Sequence, residues 1–296
     1  MAATIIHFII NPISGRGSNQ LNSELVYSVF NSEEFDIKTK KTLEPGHAKR
    51  LAVKSVAEGA DIVVACGGDG TVNEVASGLV GTDVGLGIVP MGSGNGLAST
   101  LKIPKNIVGA LKLIKKFNTV RIDVGQINKE YFFSNTGIGF DAKVINYYSK
   151  AKGRGFASYL KAVFSTILYN TPSPHLVVTT ENKSFNLRPF LVFVSNSSEM
   201  GYEISLTPQA SVQDGMLNAI VVEPLNKLEV LYFAFLLLTK KPQNFKKAHY
   251  FLTQNIEIKI VEKECLLNQI DGESTQIKTN QVKITLKKDA LKALVP

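Results

Sequence analysis

Up to about residue 122 the sequence alternates short apolar runs with stretches of helical spacing, and that alternation limits the fold more than any other feature. TIIHFII, FDIKTKK, DIVVAC and VGLGIVP read as strands, separated by NQLNSELVYSVF, GHAKRLAVKSVAEG, TVNEVASGLV and NIVGALKLIKKF. Strand and helix in regular turn predict a largely parallel sheet covered by helices on both faces. Sheets of this kind bind ligands beyond the carboxyl ends of their strands, where three glycine-rich stretches fall.

After VRIDVGQI the texture changes. Strand-like runs dominate (YFFSN, HLVVTT, RPFLVFVSN, LNAIVVE, IEIKIV, QVKITL), with helical stretches near 142–169 and 226–239. The expectation is an α/β domain over 1–122, followed by a mostly antiparallel β-sandwich with helical insertions over 123–286. No Gly/Ser linker marks the boundary, so the chain is expected to pass between them along a strand.

The formal charge of +8 favours an anionic partner: a nucleotide, a nucleic acid or an acidic membrane surface. Nucleic acid is not expected, because no recognised module is present and the basic residues are not grouped with aromatics. Cys66 and Cys265 lie far apart in apolar surroundings, which leaves neither a disulfide framework nor a Cys-x-x-Cys zinc site and fits a reducing cytoplasm. The four histidines share no ligand spacing. The most lipid-like segment, LEVLYFAFLLL, is about half of the ~20 residues a spanning helix needs, so no crossing of a membrane is expected.

Five stretches carry chemistry. NPISGRG is either a plain turn or a nucleotide loop, with Ser14, Gly15 and Gly17 allowing close approach and Arg16 offering charge to phosphate. In GGDGTVNE, three glycines within four residues suit backbone N–H groups wrapped round phosphate, yet Asp69 is negative. Asp69 either caps the following helix or belongs beside phosphates, where a cation must intervene or the carboxylate must take a proton. That second alternative points to metal-assisted phosphoryl transfer.

PMGSGNGLA opens another helix after a strand; Ser93 and Asn95 offer hydrogen bonds to phosphate while Gly92, Gly94 and Gly96 keep the backbone close. In SNTGIGFDA, Asp141 reads as completing a turn after a strand. IDGE is either a hairpin turn or a carboxylate pair, Asp271 and Glu273, fit to act as general base for a hydroxyl.

Taken in order, NPISG, GGDGTVNE, GSGNGLA, TGIGFDA and the late DGE resemble the diacylglycerol kinase catalytic-domain family, which includes bacterial lipid kinases and sphingosine kinases. The resemblance spans nearly the whole chain. It implies an N-terminal α/β domain like that of NAD kinases and phosphofructokinases, a C-terminal β-sandwich, an active site between them, and a last segment, 287–296, that returns to the first domain. ATP would be surrounded by Asn11, by Gly67, Gly68, Asp69, Gly70, Thr71, Asn73 and Glu74, and by Ser93, Gly94 and Asn95, with Thr42 near the nucleotide. Glu273 matches the proton acceptor of bacterial members, with Asp271 beside it, whereas sphingosine kinases give that role to the position of Asp69.

Bacterial members also resemble this chain at QASVQDGML. There Asp214, with the carbonyls of Ser211 and Met216, would hold a structural Mg²⁺; the other reading is a hairpin turn. Gly96 stands where diacylglycerol kinases usually carry aspartate, and Asp141 stands where sphingosine kinases hold a sphingoid head group. The resemblance therefore leans slightly to a sphingoid acceptor over diacylglycerol.

The implied activity is transfer of the γ-phosphoryl group of Mg²⁺-ATP to a lipid hydroxyl; an NAD kinase and a non-catalytic nucleotide or lipid sensor are the alternatives. Expected partners are the lipid, an anionic membrane surface approached through Lys240, Lys241, Lys246 and Lys247, and a second copy in a homodimer. Leu228 to Leu238 either face lipid or form ordinary core.

Overall fold

The computed structural model describes residues 3–14, 21, 23–31, 33–151, 155–168, 173–198, 205–262 and 265–296. Contacts divide the chain into two compact units, Met1–Val124 with Lys288–Pro296, and Gly125–Lys287.

The first unit is built on β1 (Thr4–Ile10), β2 (Phe35–Lys41), β3 (Ile62–Gly67) and β4 (Gly85–Pro90), hydrogen-bonded in parallel in the order β2-β1-β3-β4. Between and after them come α1 (Ser23–Val29), α2 (His47–Ala57), α3 (Asp69–Leu79), α4 (Gly96–Thr100) and α5 (Ile107–Ile114). Both β3 and β4 are buried throughout, which explains their unbroken apolar runs. Helix α3 turns Val72, Val75, Ala76 and Leu79 inward. Gly78 on its other side lets α2 pack close, since an added Cβ there would lie 2.8 Å from that of Ala52.

His7 is fully buried in β1 with neither ring nitrogen hydrogen-bonded. Burial, with help from the Lys40 charge, holds its pKa below the ordinary value, so it stays neutral near pH 7.

The second unit takes in the end of β5 (Thr119–Ile127), then β6 (Glu130–Phe132), β7 (Asn135–Gly139), α6 (Phe140–Ser149), α7 (Phe156–Leu168), β8 (Leu176–Thr180), β9 (Ser184–Leu187) and β10 (Leu191–Ser195). It continues with β11 (Leu217–Val222), α8 (Lys227–Leu238), β12 (Ala248–Thr253), β13 (Asn255–Ile260), β14 (Leu266–Ile270), β15 (Glu273–Ile277) and the start of β16 (Gln281–Leu294).

Six strands form an antiparallel sheet in the order β12-β11-β10-β7-β14-β15, while β16, β13, β8 and β9 pair antiparallel in another. Side chains of both sheets meet in one core: Val192, Val194, Leu217 and Val221 from the first with Val178, Ile256, Ile258 and Val282 from the second. This is the expected β-sandwich. The outer face of the six-stranded sheet, through Phe193, Ile220 and Val222, is covered by Val230, Phe233 and Leu236 of α8.

The end of β16 belongs to the first unit. Ala293 pairs with Leu86 of β4, Gly81 N–H donates to Ala290 O at 2.8 Å, and Leu291, Ala293 and Leu294 are fully buried. Cys66 is buried in β3, but Cys265 is exposed beside the polar Gln276 rather than in apolar surroundings. Among the described residues no helix is long and apolar enough to cross a membrane.

Candidate functional site

Three neighbouring parallel strands, β1, β3 and β4, deliver their glycine-rich loops to the same end of the sheet. The first loop is anchored by Asn11. Its N–H donates to Cys66 O at 2.9 Å, its Nδ2 donates to Thr71 Oγ1 at 3.0 Å, and its Oδ1 accepts from Ile13 N–H at 3.1 Å. Ser14 N–H bonds back to Asn11 O at 3.2 Å, so the loop folds over the start of α3. Gly15 and Arg16, expected at the nucleotide, lie outside the described residues. Thr42, buried at the end of β2, donates its N–H to Ile10 O at 3.0 Å and so closes the same rim.

The second and third loops are locked to each other, and Asp69 is the lock. Its Oδ2 accepts the N–H of Asn95 at 2.8 Å and its Oδ1 that of Gly96 at 2.7 Å. Asp69 is the first residue of α3, not its cap; the carboxylate caps the short helix α4 across the gap. Asn95, with φ 56°, completes the third loop by accepting from Gly92 N–H at 3.0 Å and donating to Gly92 O at 2.7 Å. Its side chain is therefore spent inside the loop rather than offered to phosphate. Ser93 and Gly94 are exposed at the tip.

Close approach explains the glycines here. A Cβ on Gly92 would lie 2.6 Å from Gly68 Cα, one on Gly94 would lie 2.7 Å from Asp69 Oδ2, and one on Gly67 would meet the Thr71 side chain at 2.5 Å. What remains for an anion is the first turn of α3. Its first helical bond runs from Val72 N–H to Gly68 O at 3.0 Å and Gly68 has no side chain to cap it, so the N–H groups of Asp69, Gly70 and Thr71 are donors that helix geometry leaves unpaired.

Two residues expected at the nucleotide have partners within the first unit. Glu74 accepts from Gly46 N–H at 2.7 Å and from Ala48 N–H at 2.9 Å, so both its oxygens cap α2. Asn73 accepts from Ser77 Oγ at 3.3 Å one turn along α3.

In the second unit, Asp271 and Gly272 have φ 47° and 83° and join β14 to β15 with Ile270 opposite Glu273, a two-residue turn of the primed type. Asp271 faces inward. Its carboxylate accepts the N–H groups of Phe133, Ser134 and Asn135 at 2.9, 2.8 and 3.0 Å, and its own N–H donates to Asn135 O at 2.9 Å. Such a carboxylate acts as a clamp on the turn, whereas Glu273, the other member of the pair, is exposed at the head of β15.

Sequence reasoning missed Gln269. This buried side chain donates from Nε2 to Asn135 Oδ1 at 2.8 Å and to Asp141 Oδ2 at 3.2 Å, while its Oε1 accepts Gly272 N–H at 2.9 Å. It links Asp141 to the turn that presents Glu273. The only signal in the sequence was a polar pair, Asn268-Gln269, inside an otherwise apolar strand.

Asp141 sits near the start of α6, its carboxylate lying against the Cα of Gly137; a Cβ there would come within 1.8 Å of Oδ2. Its Oδ1 is buried without a hydrogen-bond partner. Burial pushes its pKa up to about 7, against the opposing pull of the Gln269 amide. Burial and the Asp141 charge raise the Tyr159 hydroxyl to about 12. A carboxyl raised from 3.8 to about 7 by folding favours the folded state less as pH climbs through that interval. Asp141→Asn should therefore raise Tm at pH 8.5 by several degrees and leave it unchanged near pH 4; melting curves across that range check it.

The expected metal segment precedes β11. Asp214 Oδ1 accepts Met216 N–H at 3.0 Å around Gly215, φ 71°, which is a local aspartate turn. Its other oxygen and the carbonyls of Ser211 and Met216 are hard donors of the type Mg²⁺ takes, so the set fits in chemistry, with a single carboxylate. Among the described residues no group of three His, Cys, Asp or Glu side chains is placed to hold a metal.

Comparison with known proteins extends these observations. The family model described as Diacylglycerol kinase catalytic domain matches residues 6–127, and that described as YegS C-terminal NAD kinase beta sandwich-like domain matches residues 134–292. A diacylglycerol kinase of Staphylococcus aureus (strain bovine RF122 / ET3-1) is 30% identical over 230 residues, 75% of this chain and 71% of that protein. A diacylglycerol kinase of Bacillus subtilis (strain 168) is 28% identical over 271 residues, 90% and 88% of the two chains. Among solved structures, a diacylglycerol kinase from Bacillus anthracis strain Sterne superposes with a TM-score of 0.69 at 22% identity, covering 99% of this chain and 97% of that one. Another structure from the same strain reaches a TM-score of 0.78 at 25% identity over the same shares.

Proposed function

This chain belongs to the diacylglycerol kinase catalytic-domain family, and from that premise we propose that it transfers the γ-phosphoryl group of ATP to the free hydroxyl of diacylglycerol. The family makes it a lipid kinase; the choice of acceptor follows the names of its relatives. One observation carries the reading: three loops at one end of a parallel sheet, the first anchored by Asn11 and the second and third joined by Asp69, leave the first turn of α3 open as an anion site.

In this mechanism the N–H groups of Asp69, Gly70 and Thr71 hold phosphate oxygens, with Asn11 and Thr42 shaping the rim. Asp69 fixes the loops, since both its oxygens already carry N–H bonds, and the proton goes elsewhere. Glu273 takes it from the acceptor hydroxyl. As that O–H bond breaks, the hydroxyl oxygen forms its bond to the γ-phosphorus, and ADP departs with the electrons of the broken P–O bond. Mg²⁺ bound with ATP would neutralise charge on the phosphates; Asp214, with the carbonyls of Ser211 and Met216, would hold a second, structural ion. Asp141 is assigned the polar head group of the acceptor, a role supported by its buried Oδ1 lacking a hydrogen-bond partner.

Labelled ATP offered with diacylglycerol, sphingosine, ceramide, undecaprenol and NAD tests the assignment. Label is expected in diacylglycerol, and failure to label any lipid would sink the kinase reading.

A further inference from the structure

Helix α8 is apolar on all sides, but only one side is covered. Val230, Phe233 and Leu236 enter the outer core of the second unit. Leu228, Leu231, Tyr232, Phe235 and Leu238 recur at steps of three and four and form an outward stripe, 54% to 78% exposed. A helix apolar all round normally lies under another layer, and an exposed stripe of this kind marks a contact surface.

Its rim is basic. Lys227 stands at one end of the stripe and Lys240 and Lys241 at the other, with Lys246 just beyond, all exposed and without an ion pair among the described residues. The single acid of the helix, Glu229, is already neutralised. It accepts from Asn226 N–H at 2.9 Å and pairs with Lys247 at 2.7 Å.

We propose that this face of α8 docks on a bilayer containing anionic phospholipid. The helix would lie in the interfacial plane, its leucines and Phe235 at the acyl boundary, Tyr232 at headgroup depth and the lysines among phosphates. Its 12 residues span about 18 Å, too short to cross a bilayer and long enough to lie along one. A second copy fits the patch less well, because a two-fold contact through α8 would set one lysine rim against another. The inference deepens the proposed function, since it brings the enzyme to where its acceptor resides, and it rests on that reading only for the meaning of the contact.

Binding is therefore measured without ATP or diacylglycerol. The protein is sedimented with vesicles of phosphatidylcholine alone and with vesicles one-third phosphatidylglycerol, at low and high salt. The wild type should bind the mixed vesicles at least about tenfold more tightly, with the preference lost at high salt. Leu231→Gln with Phe235→Gln should weaken binding to the mixed vesicles about tenfold or more. Lys240→Glu with Lys241→Glu should abolish the preference for phosphatidylglycerol and leave any weak binding to phosphatidylcholine.

Both pairs lie on the surface, and circular-dichroism melts report their folding. A wild type that stays in the supernatant with both vesicles at low salt overturns the proposal. So does a Leu231→Gln/Phe235→Gln variant that sediments like wild type, or an apolar pair whose only effect is to split a dimer in the ultracentrifuge. On diacylglycerol dispersed in neutral detergent, that variant should turn over at the wild-type rate. A wild type that binds vesicles but phosphorylates no lipid would remove the kinase reading and leave the docking surface standing.

Discussion

Replacing Glu273 with Gln should lower kcat by about two to four orders of magnitude while leaving the melting curve unmoved. Glutamine keeps the shape and loses the basic oxygen, and the turn that presents it is held by other residues. Asp271 ties that turn to three successive backbone N–H groups and Gln269 holds Gly272, so the turn is fixed by residues other than 273. Asp271→Ala should behave differently. Three buried donors would lose their acceptor at a cost of about 3 kcal/mol or more, so Tm and turnover should fall together. Measuring kcat and Tm for both variants separates base from clamp. A Glu273→Gln enzyme within threefold of wild type would place the proton acceptor elsewhere.

Asp69→Ala should lower kcat/KM for ATP by at least about 100-fold, because loop positions shifted by an ångström misplace the phosphates. The loss would come through geometry. Without the carboxylate, Asn95 and Gly96 lose their acceptor, and the tip of the third loop is no longer held to the second, although Met91 N–H still bonds Gly67 O at its base at 2.8 Å. Gly92→Ala disturbs the same junction from the other side, since its Cβ would lie 2.6 Å from Gly68 Cα, where only backbone can give way. The two substitutions should therefore be less than additive in a double-mutant cycle on ATP binding. Full additivity would mean that the loops act independently and that Asp69 works directly on the nucleotide.

Much of the first unit was legible, because its apolar periods change from two to helical spacing and back with loops of glycine between them. The strands TIIHFII, DIVVAC and VGLGIVP are the central strands of the parallel sheet, with FDIKTKK at its edge. The second unit was legible in class but not in detail. TGIG was not among the strand-like runs, yet it is β7, a central strand between β10 and β14. Its glycines are there because the Asp141 carboxylate and Phe190 O occupy the places where side chains would stand. LLNQI hides as a strand because buried Asn268 and Gln269 break its apolar alternation, and ESTQI because Ile277 is its only apolar residue. Side-chain destinations were the least readable element. Nothing local to GGDG shows that its aspartate serves the loop 26 residues on, nor that Asp271 will reach back to Phe133 across 138 residues. Glu74 was drawn into the nucleotide site by adjacency in sequence, while its oxygens point to α2. For LEVLYFAFLLL, both readings hold in part, because one side is core and the other is exposed.

The course of β16 bears on how the protein matures. Residues 288–296 supply buried side chains to the unit that contains the glycine-rich loops, yet they are translated after everything in Gly125–Lys287. During vectorial synthesis the second unit can close as soon as its strands emerge, whereas the first must wait with the flank of β4 unsatisfied. The unit that begins first is finished last.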